Sequence, residues 1–155
     1  MKFAVVQIRG QMNMDRKFKE TMKYLKLVKK NSCVVVENNR STLGMLVSLR
    51  DFITWGEIDA ETYRLLIEKR GRIVGNKPLT EAYLKEKSKM GFDEFVKNFL
   101  DSKIKVKDVP GLKPFFRLTP PQGGFDRGGI KTQYSLGGAL GYRTDKINAL
   151  IRRML

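Results

Sequence analysis

The stretch KFAVVQIR at residues 2–9 decides the fold, because this β-branched run, ended by Gly10, predicts a first strand. The apolar period then becomes helical over residues 15–30, with Asp15 as the expected N-cap. Ser32–Glu37, SCVVVE, predicts a second strand that is apolar enough to be buried on both sides or central in its sheet. The chain therefore begins as strand, helix, strand.

A short helix and a third strand follow. Ser41 is expected to cap this helix, in which leucines repeat at intervals of three, and FITWGEI at residues 52–58 predicts the strand. The order within residues 1–58 is βαβαβ. The economical packing is a compact sheet with both helices on one face, because each helix has one apolar stripe to bury.

Beyond residue 58 the pattern is mainly helical. The first three predicted helices each begin with an Asp or Thr that can act as a cap, and Gly71 and Gly91 stand where C-terminal caps are expected. Helices are predicted at residues 59–70, 80–90, 93–102 and from about 144, with an extended, proline-containing segment at 103–121. We therefore divide the chain into a core at 1–58 and, at 59–155, a helical extension, a Gly/Pro-rich basic arm and a C-terminal helix packed on the core.

The charge of the chain points to a polyanionic partner. Its 155 residues carry a formal net charge of +15. Residues 1–58 contain 11 basic and 5 acidic residues, residues 59–108 contain 12 and 9, and residues 109–155 contain 8 and 2, so both ends are strongly basic. Cys33 is the only cysteine and there is no histidine, which excludes disulfide frameworks, cysteine–histidine zinc sites and histidine acid–base catalysis. We expect no cofactor, no metal and no small-molecule substrate.

The start of the chain predicts that the protein is not exported. MKFAVVQIRG contains an apolar run of only about six residues, which is too short for the core of a signal peptide. No later run approaches the roughly 18 apolar residues of a membrane-spanning helix. A cytoplasmic location without a membrane partner is expected, and the lone cysteine fits a reducing compartment.

A glycine-rich basic segment, RLTPPQGGFDRGGIK at residues 117–131, has almost no apolar periodicity. A nucleotide-hydrolysing loop is disfavoured, because the segment lacks the Gly-Lys-Ser ending of such loops. A flexible surface loop and an arm that contacts nucleic acid remain, and the scarcity of serine and acid favours the arm. Arg117, Arg127 and Lys131 would supply charges for phosphate, while Gly123, Gly124, Gly128 and Gly129 would let the backbone approach another surface.

Other groups of cations have structural explanations beside the functional one. Four cations lie at or after the end of a predicted helix: Lys69, Arg70, Arg72 and Lys77. The helix dipole explains one positive charge at this position, but four charges together indicate a basic surface patch. Arg152 and Arg153 are ambiguous for the same reason. The first helix carries either a solvated face or an electrostatic footprint, formed by Arg16, Lys19, Lys23, Lys26 and Lys30.

The carboxylates and aromatic residues offer little for catalysis. Glu57, Asp59 and Glu61 cluster in sequence, but Asp59 is expected to cap a helix, so we predict no catalytic residue. Four aromatic residues have the rings needed to stack on bases, although we assign Trp55 to the core: Trp55, Phe115, Phe116 and Tyr134.

Six segments carry a resemblance to a known family. They are VQIRG at 6–10, VVVENNRSTLGML at 34–46, ITWGEI at 53–58, LIEKRG at 66–71, FFRLTPPQGGF at 115–125 and DKINALIRRM at 145–154. In their order and spacing the chain resembles, over essentially its whole length, the universal large-subunit ribosomal protein family called L-thirty, in its longer archaeal form. The eukaryotic counterpart is called L-seven. Its basic N-terminal extension has no equivalent here, since Met1 directly precedes the first strand, which points to the archaeal form.

The resemblance implies an α+β fold. Its ferredoxin-like βαβαβ core would have a three-stranded antiparallel sheet, joined by a helical and extended C-terminal extension. It also implies a non-enzymatic, structural role in the large ribosomal subunit, bound to the largest ribosomal RNA, with neighbouring ribosomal proteins and the 5S ribosomal RNA region as further candidate partners. Alternative functions are an RNA-processing enzyme, an accessory RNA-binding factor outside the ribosome and a DNA-binding regulator, although no helix-turn-helix spacing is evident.

The expected RNA contacts combine the cations named above with residues of the core. They would act by releasing counterions and by packing the arm against a shaped RNA surface. The expected contact residues are Arg9, Arg40, Lys69, Arg70, Arg72, Lys77, Arg117, Gly123, Gly124, Arg127, Gly128, Gly129, Lys131, Arg143 and Arg152.

Overall fold

A five-stranded sheet forms the centre of the computed structural model, which describes residues 1–155 apart from the side chain of Lys107. The strands are β1 (Lys2–Gln7), β2 (Ser32–Glu37), β3 (Ile53–Glu57), β4 (Phe116–Arg117) and β5 (Gly141–Tyr142). They run in the order β4-β2-β1-β3-β5, so β1 is central.

The first three strands form where the sequence predicts them, and β1 pairs antiparallel with both β2 and β3. The expectation of a three-stranded antiparallel sheet is not confirmed for the sheet as a whole. The segment after residue 58 adds β4 antiparallel to β2, and it adds β5 parallel to β3. The sheet is therefore mixed, within an α+β fold.

Six helices surround this sheet. Residues 74–76, 106–108, 134–136 and 144–146 form short 3-10 turns. No helix among the described residues is both long and apolar enough to cross a membrane. The helices are α1 (Arg16–Tyr24), α2 (Arg40–Ser48), α3 (Ala60–Arg70), α4 (Glu81–Ser88), α5 (Phe92–Leu100) and α6 (Ile147–Met154).

Helix bounds follow the predictions best where a side chain caps the helix. The Asp59 Oδ1 atom accepts a hydrogen bond from the backbone N–H of Thr62 at 2.6 Å, and α3 begins where expected. The predicted first helix is too long, because Lys26 has a left-handed φ of 62° and the chain leaves the helix after Tyr24. Val28, which lies within the predicted helix but beyond the end of α1, is 61% exposed.

Three predicted caps are wrong. The helix α2 begins at Arg40 with Asn39 as its N-cap, so Ser41 lies inside the helix. Lys89, in the left-handed conformation, ends α4. Gly91 is instead the N-cap of α5, and Asp93 belongs to that helix's first turn. Short polar residues near a helix end compete for one cap position, and sequence alone does not decide between them.

Apolar clusters cover both faces of the sheet. Alternate residues of β1 contribute to each, with Phe3 and Val5 on one face and Ala4 and Val6 on the other. The first face is covered by α1 and α2, which pack on one side as predicted. The second face is covered by α3, α5 and α6 from the C-terminal extension. All six residues of β1 are consequently buried, whereas β2 is buried only over its first three.

Candidate nucleic-acid interface

A basic pocket lies where the C-terminal end of α3 meets β4. Its volume is about 380 Å³. Four of its six lining residues are cations and none is acidic, so its walls favour an anion. We define the basic pocket by Arg70, Arg72, Asn76, Lys113, Phe115 and Arg117.

Backbone pairing assembles this pocket from segments that are distant in sequence. The N–H of Lys113 donates to the carbonyl oxygen of Arg72 at 2.9 Å, and a bridge between Ile73 and Leu112 continues the pairing. At β4 and the residue before it, alternation places Phe115 and Arg117 on one side of the chain while Phe116 is buried on the other. The short extended segments that contain Arg72 and Lys113–Arg117 thus place their cations around the same pocket.

Arg70 is held in place by the last part of the chain. Its Nη2 atom donates to the backbone oxygen of Leu155 at 2.5 Å and to the Thr119 hydroxyl at 3.4 Å. A guanidinium has five N–H donors, so these contacts fix the group and leave donors for another acceptor. The side chain is half-buried and still lines the pocket.

The pocket contains three of the predicted contact residues and omits two of their neighbours. Arg70, Arg72 and Arg117 come together, whereas Lys69 and Lys77 are exposed outside the lining. Lys113 was missed by the sequence analysis. The alternation of Lys113, Phe115 and Arg117 in KPFFR was a usable signal, because alternate residues of an extended segment face the same way.

Residues 117–131, which we call the arm, are anchored to the C-terminal helix. The N–H of Thr119 donates to the carbonyl oxygen of Met154 at 3.0 Å, and that of Gln122 donates to the carbonyl oxygen of Arg153 at 2.9 Å. The Arg153 side chain in turn donates to the carbonyl oxygen of Gly124 at 3.3 Å. The arm is therefore fastened along its first half.

The glycines of the arm have two different roles. Gly123, Gly124 and Gly129 have φ between 75° and 76°, and no atom within 4 Å would meet an added Cβ, so the turn conformation alone requires them. A Cβ on Gly128 would lie 2.8 Å from the Gly137 carbonyl group, whose oxygen also accepts the N–H of Gly128. The close approach at Gly128 is thus to the protein's own backbone.

Arg127 and Lys131 project from the arm into solvent. Both side chains are exposed, and no hydrogen bond or ion pair joins either to another described residue. The only acid of the arm, Asp126, points its carboxylate at Arg143, with 3.0 Å between Oδ2 and Nη2. The outer charges of the arm are therefore not neutralised locally.

Arg143, predicted as a contact residue, lies in the interior and is 3% exposed. Besides the pair with Asp126, its guanidinium donates to the Thr54 hydroxyl at 2.9 Å and to the carbonyl oxygen of Ala139 at 2.9 Å, and it covers the Tyr134 ring at 4.5 Å. Burial lowers the pKa of Arg143 and the nearby Asp126 carboxylate opposes this shift. The expectation of a surface contact is corrected: this arginine joins the arm, β3 and β5.

Arg152 and Arg9 are also engaged within the protein. Arg152 donates to the Glu61 carboxylate at 2.9 Å, the Asp59 carboxylate at 3.2 Å and the Thr62 hydroxyl at 3.0 Å. It therefore joins α6 to the start of α3, and its charge is largely neutralised. Arg9 donates to the backbone oxygen of Asp51 at 3.1 Å and lies 5.2 Å from the Phe52 ring. Arg40, at the first position of α2, is exposed.

The cationic face predicted for the first helix is divided by the early end of α1. Arg16, Lys19 and Lys23 lie on the helix, and Lys26 and Lys30 follow its end. Arg16 makes an ion pair with Glu20 at 2.8 Å, with both side chains exposed. Exposed pairs of this kind contribute little to stability.

The aromatic candidates separate into core and surface residues. Trp55 is 6% exposed and Phe116 is 3% exposed, so both belong to the core, as expected for Trp55. Tyr134 is half-buried beneath Arg143. Phe115 packs on one side against the apolar cluster beneath α1 and α2 and lines the basic pocket. Of these four aromatic residues, Phe115 is the one that lies beside cations without an acidic partner.

The carboxylates and the cysteine are occupied by structural contacts. Asp59 and Glu61 pair with Arg152, and the Tyr142 hydroxyl donates to Glu57, which raises the pKa of Tyr142 to about 12. Burial raises the pKa of Cys33 to about 12, so its thiol stays protonated at neutral pH. Among the described side chains, no three Cys, Asp or Glu residues are placed to hold a metal ion.

Comparisons with known proteins identify the family of the chain. Residues 3–53 match the family model described as Ribosomal protein L30p/L7e. The chain is similar to proteins named large ribosomal subunit protein uL30 along its whole length. These include those of Methanococcus vannielii (48% identical, 100% of both chains), Archaeoglobus fulgidus (45%, 98% of this chain and 99% of the relative) and Methanopyrus kandleri (44%, 96% of this chain and 100% of the relative).

The matches to these relatives extend over the basic pocket and the arm as well as the sheet, whereas the family model covers only residues 3–53. Relatives that are more than 40% identical over nearly the entire chain share its fold and its family. The chain therefore belongs to the uL30 family of large ribosomal subunit proteins.

Proposed function

We propose that this protein is a structural constituent of the large ribosomal subunit, where it binds and stabilises ribosomal RNA. The observation that carries this proposal is its full-length similarity to proteins named large ribosomal subunit protein uL30. A net charge of +15 and a pocket lined by four cations and no acid support it. No arrangement of groups described above favours the RNA-processing alternative.

The proposed mechanism is the neutralisation of phosphate by open cations, by which we mean cations that are not paired with a carboxylate of the protein. Each phosphate that is neutralised releases counterions, with a salt-dependence slope of about 0.7 to 0.9 per contact. The open cations belong to the arm, to the basic pocket and to α1. Because the arm is hydrogen-bonded to the C-terminal helix, binding would order fewer residues than a loose tail would require.

Within this proposal the predicted contact residues divide into two groups. Arg143, Arg152 and Gly128 hold the arm and the C-terminal helix in place, since the two arginines are paired with carboxylates of the protein and Gly128 packs against the Gly137 carbonyl. The remaining twelve supply charge or backbone shape for the RNA. They are Arg9, Arg40, Lys69, Arg70, Arg72, Lys77, Arg117, Gly123, Gly124, Arg127, Gly129 and Lys131.

We also propose that residues 1–58 form the ferredoxin-like part of the fold and that residues 59–155 extend it. The family model, which covers residues 3–53, supports this boundary. Neighbouring ribosomal proteins and the 5S ribosomal RNA region are proposed as further partners. The protein would act in the cytoplasm as part of the ribosome, without catalytic activity.

Sedimentation of a cell lysate in gradients of increasing salt tests the proposal. The protein is expected to sediment with the large subunit at moderate salt and to be released only at high salt, because phosphate contacts weaken as salt rises. An accessory factor would associate with only a fraction of the particles. Recovery of the protein free at low salt, or on DNA alone, would contradict a ribosomal role.

A further inference from the structure

We propose that the basic pocket holds one unstacked nucleotide of an RNA strand, with its phosphate on the cations and its base on Phe115. This inference rests on the proposed function and gives the pocket a specific ligand. It distinguishes the pocket, which would recognise an unpaired nucleotide, from Arg127 and Lys131 of the arm, which would contact any phosphate backbone.

The charge of the pocket fits a phosphate group. Arg70 at the end of α3, Arg72 just beyond it and Arg117 in β4 supply guanidinium groups, and Lys113 adds an ammonium. Guanidinium groups bind phosphate through paired N–H donors, which makes such contacts both strong and directional. Hydrogen bonds to Leu155 and Thr119 already fix Arg70, so at least one guanidinium is correctly positioned before the phosphate binds. No acid lines the pocket to compete for these donors.

The size and the walls of the pocket fit a base beside that phosphate. Small-molecule pockets are typically about 300 to 1,000 Å³, and a volume of about 380 Å³ therefore suits a ligand as small as one nucleotide. Phe115 packs against the apolar cluster on its other side, so its ring loses little freedom when a base stacks on it. The Asn76 side chain provides an amide with both donors and an acceptor for a base edge.

Paired RNA does not present such a ligand. In a duplex the bases are stacked inside the helix, and side chains recognise sequence chiefly in loops, bulges and ends where bases are splayed out. A ring at the wall of a pocket can reach only a base that has left the stack. A duplex would still bind the exposed cations of the arm, so the two modes are separable.

The test measures binding of the full chain to two labelled RNA hairpins by fluorescence anisotropy. One hairpin is fully paired and the other carries a single bulged uridine in the same stem. We expect the protein to bind the bulged hairpin about tenfold more tightly, because stacking of one base on an aromatic side chain typically accounts for a difference of this order. Two variants, Phe115→Leu and Arg117→Gln, should lose most of this preference.

Each variant has a matched control outside the pocket. Tyr24→Leu removes an exposed ring, and Arg64→Gln removes an exposed arginine that is paired with Asp93 at 3.1 Å. Both controls should keep the preference for the bulge. Phe115→Leu preserves apolar packing while removing the flat ring. If that variant fails to fold, Arg117→Gln decides alone, because Arg117 is exposed and its loss leaves no cavity.

Three results would overturn the pocket proposal. They are equal affinity for the two hairpins, a preference for the bulge that both variants retain, and tighter binding of free uridine monophosphate than of the bulged hairpin. The last would assign the pocket to free nucleotides, because a nucleotide within an RNA also gains the contacts of its neighbouring phosphates. None of these results affects sedimentation with the large subunit, so the pocket can fail while the proposed function stands.

Discussion

Arg143 and Arg127 carry the same charged group, and the structure surrounds them differently. Arg143 is 3% exposed and satisfied by a carboxylate, a hydroxyl and a backbone carbonyl. Arg127, on the arm, is exposed with no such partner among the described residues. The difference teaches that net charge does not identify an interface in a basic protein. The positions of the acidic residues are more informative, because a cation paired with a carboxylate of the protein already has a structural role.

The same contrast separates whole regions. Around the second face of the sheet, Lys2, Arg143 and Arg152 are each paired with a carboxylate. The lining of the basic pocket contains no carboxylate, and the outer cations of the arm have none as partners. Cations in the first group should therefore control stability, and cations in the second should control RNA binding. Variants in each group test this separation.

Replacing the buried arginine, Arg143→Met, should have the largest effect on stability. It would leave the hydroxyl of Thr54, the carbonyl of Ala139 and the carboxylate of Asp126 without their donor. Breaking a buried charge pair typically costs about 3 to 5 kcal/mol, and we expect a loss near the lower end because Asp126 is partly exposed. Urea denaturation measures it. A loss below about 1 kcal/mol would place Arg143 with the open cations.

Filling the close contact inside the arm, Gly128→Ala, should be the next largest change. The added methyl group would lie 2.8 Å from the Gly137 carbonyl, so the backbone must move. Overpacking of this kind typically costs about 1 to 3 kcal/mol. Gly10→Ala is the control, because no atom lies within 4 Å of an added Cβ there. Equal thermal stability of the two variants would contradict the role assigned to Gly128.

Removing the buried ammonium, Lys2→Met, should change the pH dependence of stability more than its value at neutral pH. Burial lowers the pKa of Lys2, with Glu37 at 3.6 Å opposing the shift, so the unfolded chain binds more protons between the folded-state pKa and 10.5. The free energy of unfolding of the parent protein, relative to that of the variant, should therefore rise with pH through that window. The comparison with the variant is needed because Cys33, Tyr63 and Tyr142, whose pKa values are raised, lower the stability of both proteins as pH rises.

Urea denaturation at pH values below and within this window measures the effect. At neutral pH the variant should lie within about 1 kcal/mol of the parent, because well-packed apolar replacements of buried charges are often neutral or stabilising. Lys97→Met, which removes an exposed lysine of α5, is the control. A parallel pH dependence of Lys2→Met and the parent would show that the Lys2 ammonium is not desolvated.

Removing both outer charges of the arm should have the smallest effect on stability. Arg127→Ala combined with Lys131→Ala should leave the free energy of unfolding within about 0.5 kcal/mol, as for other exposed sites. The same change should weaken binding to a ribosomal RNA transcript and reduce the salt-dependence slope by about 1.5, since two phosphate contacts are lost. Anisotropy at several salt concentrations measures the slope.

The matched control removes two exposed cations that have acidic partners. Arg64→Ala combined with Lys85→Ala deletes the same charge, but these residues pair with Asp93 and Glu81. Its salt slope should change less than that of the arm variant. If the arm variant unfolds more easily and binds RNA normally, the arm belongs to the protein's own structure.

Local sequence signals predicted the elements that local interactions determine. The first three strands and α3 were found because alternation, β-branched residues and the Asp59 cap act over a few residues. The two-residue strands β4 and β5 were not predicted as strands, although β4 lies within the segment predicted to be extended. Each pairs with a strand that is distant in sequence, so its own residues do not show which strand it joins.

The candidate site shows the same limit. The arm was recognised from its glycines and cations, but the burial of Arg143 depends on Thr54, Ala139 and Asp126, which no local pattern connects to it. The basic pocket depends on the pairing of Arg72 with Lys113. Charge counting finds basic residues, and only the tertiary fold decides which of them meet each other.

The two short strands also determine when, during synthesis, the edges of the sheet become covered. β4 covers part of the outer edge of β2, and β5 covers part of the outer edge of β3. Synthesis delivers β1, β2 and β3 first, so a nascent sheet has open edges, and an uncovered face at Ala4 and Val6, until the extension arrives. Open edges are templates for association with other chains. A chain that stops before residue 116 should therefore self-associate. By covering these edges, the extension prevents the newly synthesised protein from aggregating.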